Sequence, residues 1–177
     1  SETVATPAVR AALASGLDAK YAEGYPGARF HGGCEVVDEL EKLAVGRATT
    51  LFGADYVNVQ PLSGSVANLA VIAAFAQPGD PILALSLGHG GHQTHGSRAN
   101  FSGRWFTPLR YGVRRDDELI DYDQIRELAL VHRPRILVAG ATSYSRNIDY
   151  AALRAIADEA EAILWVDAAH TAGLVAA

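Results

Sequence analysis

Apolar positions change their period several times along the chain, and each change predicts an element. Thr6-Pro7 reads as a helix start, Thr6 as N-cap and Pro7 in the first turn, with the helix running over about 7–17. Residues 21–33 are dense in Gly, Tyr and Pro and predict an irregular loop. Val36, Val37, Leu40, Leu43 and Ala44 then recur at helical spacing and predict an amphipathic helix over about 35–52. Residues 56–60 alternate as a strand would, and a helix comes next over about 66–75. The unbroken apolar run at 81–86 predicts a buried strand, and 105–111 a short strand pair. A charged turn at 114–118 leads to a helix over 122–131 and a buried strand at 136–140. A helix over 151–160 and a strand at 163–166 complete the pattern, with Asp167 at the last strand's end. Apolar strands that do not alternate, separated by helices, imply a mostly parallel sheet covered on both faces. The expected fold class is therefore α/β, a three-layer α/β/α arrangement.

Bulk properties narrow the partners. A chain of 177 residues is the size of one domain. The net charge is −5 and the arginines are scattered, so no basic stripe exists to neutralise phosphates, and nucleic acid is not an expected partner. No apolar run approaches the roughly 20 residues needed to cross a bilayer, so no membrane partner is expected. A lone cysteine, Cys34, forms no internal disulfide, and with no signal peptide in view a cytoplasmic location is expected. Lysine is scarce, with only Lys20 and Lys42. A start at Ser1 without methionine and a stop inside the apolar segment 173–177 suggest a piece of something longer.

The chemistry concentrates in 87–96, where three histidines and four glycines succeed the strand at 81–86. A loop at a strand's carboxyl end is where an open α/β sheet builds its site. One reading is a metal cluster of His89, His92 and His95, spaced by three; glycines at 88, 90 and 91 disfavour the helix this needs, and no acidic partner is near in sequence. The other is a loop that covers and stacks on an organic cofactor. Ser63-Gly64-Ser65 before a helix is either a plain N-cap or an anion cradle of free N–H groups and hydroxyls. Asp167 is either a helix N-cap or a counter-ion for a cofactor's ring nitrogen, with His170 as its neighbour.

These segments together resemble serine hydroxymethyltransferase, a pyridoxal 5'-phosphate enzyme of the aspartate-aminotransferase fold type. The motifs are Lys20-Tyr-Ala-Glu-Gly-Tyr-Pro-Gly27, Gly32-Gly-Cys-Glu35, Leu51-Phe-Gly-Ala-Asp55, Asn58-Val-Gln-Pro61 with Ser63-Gly-Ser65, His89-Gly-Gly-His92 with Thr94-His95-Gly96, Asn100-Phe-Ser-Gly103, and Val166-Asp167 with His170. The resemblance spans essentially the whole chain. It implies that Ser63, Gly64 and Ser65 hold the cofactor phosphate, that His92 stacks on the pyridine ring and that Asp167 pairs with the ring nitrogen. Thr142 stands near the cofactor's phenolic oxygen, and His170 lies beside the ring and substrate carboxylate. Ser1 and His31 contact substrate, while Tyr21 and Glu23 reach into the partner subunit's site of a homodimer or dimer of dimers, Glu23 handling the substrate hydroxyl proton. The chain would be the N-terminal portion of the cofactor-binding large domain, 1–177, with the Schiff-base lysine and the C-terminal domain beyond it; neither Lys20 nor Lys42 matches that lysine.

Two departures bear on tetrahydrofolate, the family's one-carbon carrier. Phe30 and His31 stand where the family usually has two tyrosines, and Gln93 where a leucine lines the folate site. They favour, as an alternative, a folate-independent threonine transaldolase working the same Cα–Cβ bond on an amino-acid substrate. Readings of other classes are a metal-dependent hydrolase built on the three histidines and a non-catalytic interaction domain.

Overall fold

The computed structural model describes residues 3–177, and the chain resolves into two compact units. The first holds the chain up to Pro61 together with Ala176 and Ala177; the second is Leu62–Val175.

In the first unit α1 spans Pro7–Leu13 under a Thr6 cap, whose hydroxyl accepts from Val9 N at 3.4 Å. The helix stops short of the predicted Leu17 because Ser15 and Gly16 are poor helix formers; a 3-10 turn, Gly16–Ala19, takes over. The loop predicted over 21–33 contains a small antiparallel hairpin, β1 (Gly24–Tyr25) with β2 (Ala28–Arg29). Gly24 sits at φ +98°, and a Cβ there would lie 2.3 Å from the Ala28 carbonyl oxygen, so the turn requires glycine. Helix α2 spans Glu35–Phe52 and ends at Gly53 in the left-handed region. Arg29 ties the hairpin to it, bonding Asp38 and Glu41 at 2.7 Å each and the carbonyls of Ala22 and Gly24. Cys34 is buried just before α2, its thiol donating to the carbonyls of Tyr21 and His31.

The alternation at 56–60 does not produce a strand, because no neighbouring edge offers it a ladder. That segment is held instead by Gln60, whose amide donates to the Gly24 carbonyl and to Glu41.

The second unit is built on a four-stranded, all-parallel sheet in the order β4-β3-β5-β6. The strands are β3 (Pro81–Leu85), β4 (Thr107–Tyr111), β5 (Ile136–Ala139) and β6 (Ile163–Val166). The strand pair predicted at 105–111 is a single strand: Trp105 ends helix α4 (Phe101–Trp105), and Thr107 onward pairs with β3. Alternate residues of the central strands enter two separate cores. Leu83, Leu85, Leu137 and Ala139 pack with Ile125 and Ala129 of α5 (Tyr122–His132) and Leu153, Ile156 and Ala157 of α6 (Tyr150–Glu159). Ile82, Ala84, Ile136 and Val138 face the other way, onto Ile72 of α3 (Gly64–Phe75), Phe106 and Trp165. Helices thus cover both faces, which gives the expected three layers. Burial of both faces is why these strands read as continuous apolar runs. The last helix, α7, is Ala172–Val175.

From β3 the chain moves to β4 on one side and then to β5 on the other, so the order reverses beside β3. An open α/β sheet leaves a crevice at the carboxyl ends of the strands at such a point.

Candidate active site

A cavity of about 210 Å³ opens at these carboxyl ends, lined by Ser63, Gly64, Ser65, Asn68, His92, His95, Ala141, Thr142, Asp167, Ala169 and His170. Three parts of the fold build it. Helix α3 presents its N-terminus, where the first backbone N–H groups have no partner within the helix. Ser63 caps that helix, its hydroxyl accepting from Val66 N at 3.3 Å. Ser63 is thus a helix cap, and Ser63, Gly64 and Ser65 also form part of the cavity wall.

The histidine loop forms two 3-10 turns, Leu87–His89 and Gln93–His95, each closed by a left-handed glycine, Gly90 and Gly96. The turns part His89 from the other two histidines, whose rings stay 5.6 Å apart. His89 leaves the site and accepts at Nδ1 from Val113 N at 3.0 Å, a structural role. His92 lines the cavity, and its Nδ1 lies 2.7 Å from the Thr94 hydroxyl and 3.3 Å from the Thr94 N–H. An atom that accepts from a backbone N–H is unprotonated, which places the ring proton on Nε2. Burial and the neighbouring His95 hold the pKa of His92 below its ordinary value, so the ring is neutral at pH 7. His95 is wholly buried, with its ring edge-on to Trp165 at 5.3 Å.

Strand β6 delivers Asp167. Its Oδ2 lies 2.9 Å from His95 Nε2 and accepts from Asn68 Nδ2 at 2.9 Å, while Oδ1 accepts from Ala169 N at 3.1 Å. Hydrogen bonding to His95, foremost, and to Asn68 outweighs desolvation and keeps this carboxyl ionised far below the usual aspartate range. The bond to Ala169 is the local turn expected of a capping aspartate. Gly140, which ends β5, makes the approach feasible. It sits at φ +101°, and a Cβ there would meet the Asp167 carbonyl oxygen at 2.1 Å.

Of the residues singled out from sequence, Ser63, Gly64, Ser65, His92, Thr142, Asp167 and His170 converge on this one cavity. Tyr21, Glu23 and His31 form a cluster of their own in the first unit, where His31 Nε2 lies 2.6 Å from Glu23 Oε2 and its ring 5.5 Å from that of Tyr21. Ser1 lies outside the described residues. Gln93 is exposed.

Three further contributors emerge only from the fold. Asn68 joins α3 to both the loop and the strand end, bonding Thr94 Oγ1 at 2.8 Å as well as Asp167. Its signal in the sequence is an amide in an otherwise apolar helix, Val66 to Phe75. His95, by its spacing a possible metal ligand, is the partner of Asp167. Arg110 donates to the carbonyls of His95, Gly96 and Leu109 and clamps the loop from β4, which no spacing in the sequence reveals.

The fold also supplies the acid that a metal reading lacked, for donor atoms of His92, His95 and Asp167 lie within 4.8 Å of one another. Their atoms are engaged within the protein, however, Asp167 Oδ2 by two donors and His92 Nδ1 by Thr94, and a metal would have to displace these bonds. Among the described residues no helix is long and apolar enough to cross a membrane.

Comparison with known proteins agrees with this geometry. A family model described as serine hydroxymethyltransferase matches residues 1–177. A serine hydroxymethyltransferase of Clavibacter michiganensis subsp. michiganensis is 58% identical over 177 residues, all of this chain and 42% of that protein. Serine hydroxymethyltransferase 1 of Pseudomonas fluorescens is 56% identical over 177 residues, again all of this chain and 43% of that protein. One of Borrelia recurrentis is 56% identical over 176 residues, 99% of this chain and 42% of its own length. The chain therefore spans less than half the length of these curated relatives. Matched from end to end and identical to them at more than half its positions, the chain belongs to the serine hydroxymethyltransferase family.

Proposed function

We propose that this chain forms the cofactor pocket of a pyridoxal 5'-phosphate-dependent hydroxymethyltransferase that interconverts serine and glycine. The observation that carries the reading is Asp167, an aspartate held ionised by His95 and Asn68 in the wall of a cavity that also receives a helix N-terminus. The donor set suits the cofactor at each of its ends. Backbone N–H groups at Gly64 and Ser65 and the hydroxyls of Ser63 and Ser65 suit a phosphate, aided by the α3 dipole. The neutral ring of His92 suits a face-to-face contact with an aromatic ring, since it brings no charge to repel a pyridinium. Asp167 Oδ1 suits the proton of a ring nitrogen, and the Thr142 hydroxyl a phenolic oxygen.

When bound, the cofactor would supply an electron sink for negative charge at the α-carbon of an amino acid. Asp167 keeps the ring nitrogen protonated, the condition on which that sink depends. His92 and His170 confine the ring and the substrate carboxylate, and the low polarity around Trp165 strengthens the Asp167 contact. Glu23 takes and returns the substrate hydroxyl proton from across a subunit boundary, with Tyr21 beside it, in a homodimer. A cytoplasmic setting suits the buried thiol of Cys34.

Tetrahydrofolate is the one-carbon carrier in this reading. Gln93 is exposed, so it carries none of the cost of a buried unpaired amide, and that objection to folate falls away. Phe30 and His31 remain the departures that point to a transaldolase, whereas the matched family and relatives are hydroxymethyltransferases.

The test is Asp167→Asn in the full-length protein. The fold, judged by circular dichroism, stays intact. Serine cleavage drops by two orders of magnitude or more, since a charged hydrogen bond of roughly 3 kcal/mol corresponds to about 100-fold in rate. Turnover within about threefold of wild type would reduce Asp167 to a capping residue.

A further inference from the structure

Glu23 and His31 face one another because the backbone puts them there. They flank the β1–β2 hairpin, and the Phe30 N–H donates to the Glu23 carbonyl at 3.0 Å, extending the ladder by one bond. The Cys34 thiol donates to the carbonyls of both Tyr21 and His31 and closes the same loop from behind. On this frame His31 Nε2 lies 2.6 Å from Glu23 Oε2. The other charged and titratable groups of the loop are turned to different tasks. Lys20 donates to the carbonyls of Tyr21 and Gly32, Arg29 is paired with Asp38 and Glu41, and Tyr21 offers its ring to His31 at 5.5 Å. The imidazole is thus the one side chain among the described residues that bonds the Glu23 carboxylate. Its side chain is 41% exposed and that of Glu23 68%. Exposed pairs of this kind add little to stability. What a fixed imidazole–carboxylate pair does provide is a short path for a proton.

We infer that His31 is the proton partner of Glu23, a positioning residue that acts through the carboxylate; this rests on the role proposed above for Glu23. The substrate hydroxyl gives its proton to Oε1 of Glu23 as Oε2 hands the proton of its 2.6 Å bond to Nε2 of neutral His31. The result is a carboxyl group beside an imidazolium, and Nδ1 then releases its own proton to water. In the return direction each step reverses, so no proton is gained or lost by the protein over a cycle. A tyrosine, which the family usually carries at this position, cannot accept a second proton and could not serve in this way. Only a neutral imidazole accepts, so the pH profile of turnover depends on His31.

The experiment uses the full-length enzyme with its cofactor and follows kcat and KM for serine against pH. In His31→Gln, which keeps a hydrogen-bonding group but cannot take up a proton, kcat falls by about tenfold or more while KM is little changed, and the pH profile of kcat changes shape. In His31→Ala, added imidazole restores turnover in proportion to its concentration, since it can fill the space left by the ring and take up the same proton. An His31→Gln enzyme with the wild-type profile, or an His31→Ala enzyme that imidazole does not rescue, would overturn the inference. Glu23→Gln separates the two levels: if that variant turns over like wild type, the role of Glu23 itself is wrong, whereas an inactive Glu23→Gln beside an unaltered His31→Gln rejects only the partnership.

Discussion

At Asp167 three donors converge on two oxygens, and this convergence decides how the molecule responds to acid. The carboxyl is held below its ordinary value of 3.8 in the folded state, and His92 is held below its ordinary 6.5. At both groups the unfolded chain binds protons more readily than the folded one, so stability rises with pH through each window. The His92 contribution is lost as pH falls below 6.5, and the Asp167 contribution as it falls below 3.8. Urea midpoints should therefore decline in two stages on acidification. Asp167→Asn should lack the second stage, so its deficit against wild type narrows below pH 3.8; a constant deficit would show that the carboxylate is not held by His95 and Asn68. Gly140→Ala tests the same residue from behind. Its methyl group enters the Asp167 carbonyl at a positive φ, at a cost of about 1–3 kcal/mol or more, and moves the carboxylate with the strand end. Asp167 and His92 were legible in sequence, since one ends an apolar strand and the other sits in a loop of glycines. The pairings of Asp167 with Asn68 and His95 were not, because they join segments whose approach only the sheet order creates.

Among the elements, the caps at Thr6 and Ser63 were legible in sequence, and the fold adds Asp121 and Asp149. Thr6, Ser63, Asp121 and Asp149 each accept from a backbone N–H three residues on. Asp149→Ala should lower stability by about 1 kcal/mol in denaturant titration and leave turnover untouched, as α6 lies away from the cavity. Ser63→Ala should cost a similar amount and in addition weaken cofactor retention, measured by dialysis of the loaded enzyme. A Ser63→Ala protein that holds cofactor normally would leave Ser63 as a cap alone. Two outcomes share one origin, in that periodicity reports what a side chain could do and not what lies opposite. Residues 56–60 alternate and have no strand beside them. Helix α2 carries the predicted apolar stripe, yet Val36, Leu40 and Leu43 are at least half exposed and the helix buries none of its residues within this chain. The parallel strands, buried on both faces, are legible because their signal does not depend on choosing a face.

At the scale of the whole molecule, the proposed active site draws on two subunits. Mixing an inactive Glu23→Gln protein with an inactive Asp167→Asn protein should restore partial turnover, because one hybrid site then receives both intact residues. A mixture that stays inactive while the subunits demonstrably exchange would remove the cross-subunit role. The sheet order has a further consequence, for the sequence of events in folding. Strand β3 can pair with β4 as soon as both are made, and β5 then adds to the free side of β3. Strand β6 pairs with β5 and is the last made of these four strands, so it can join only once β5 is in place. Until it does, His95 and Asn68 have no carboxylate between them, and the pocket lacks the wall that Asp167 forms. Long-range parallel pairing of this kind is slow. A ligand that needs Asp167 therefore recognises the sheet only once β6 has joined it, and once bound it holds that strand in place.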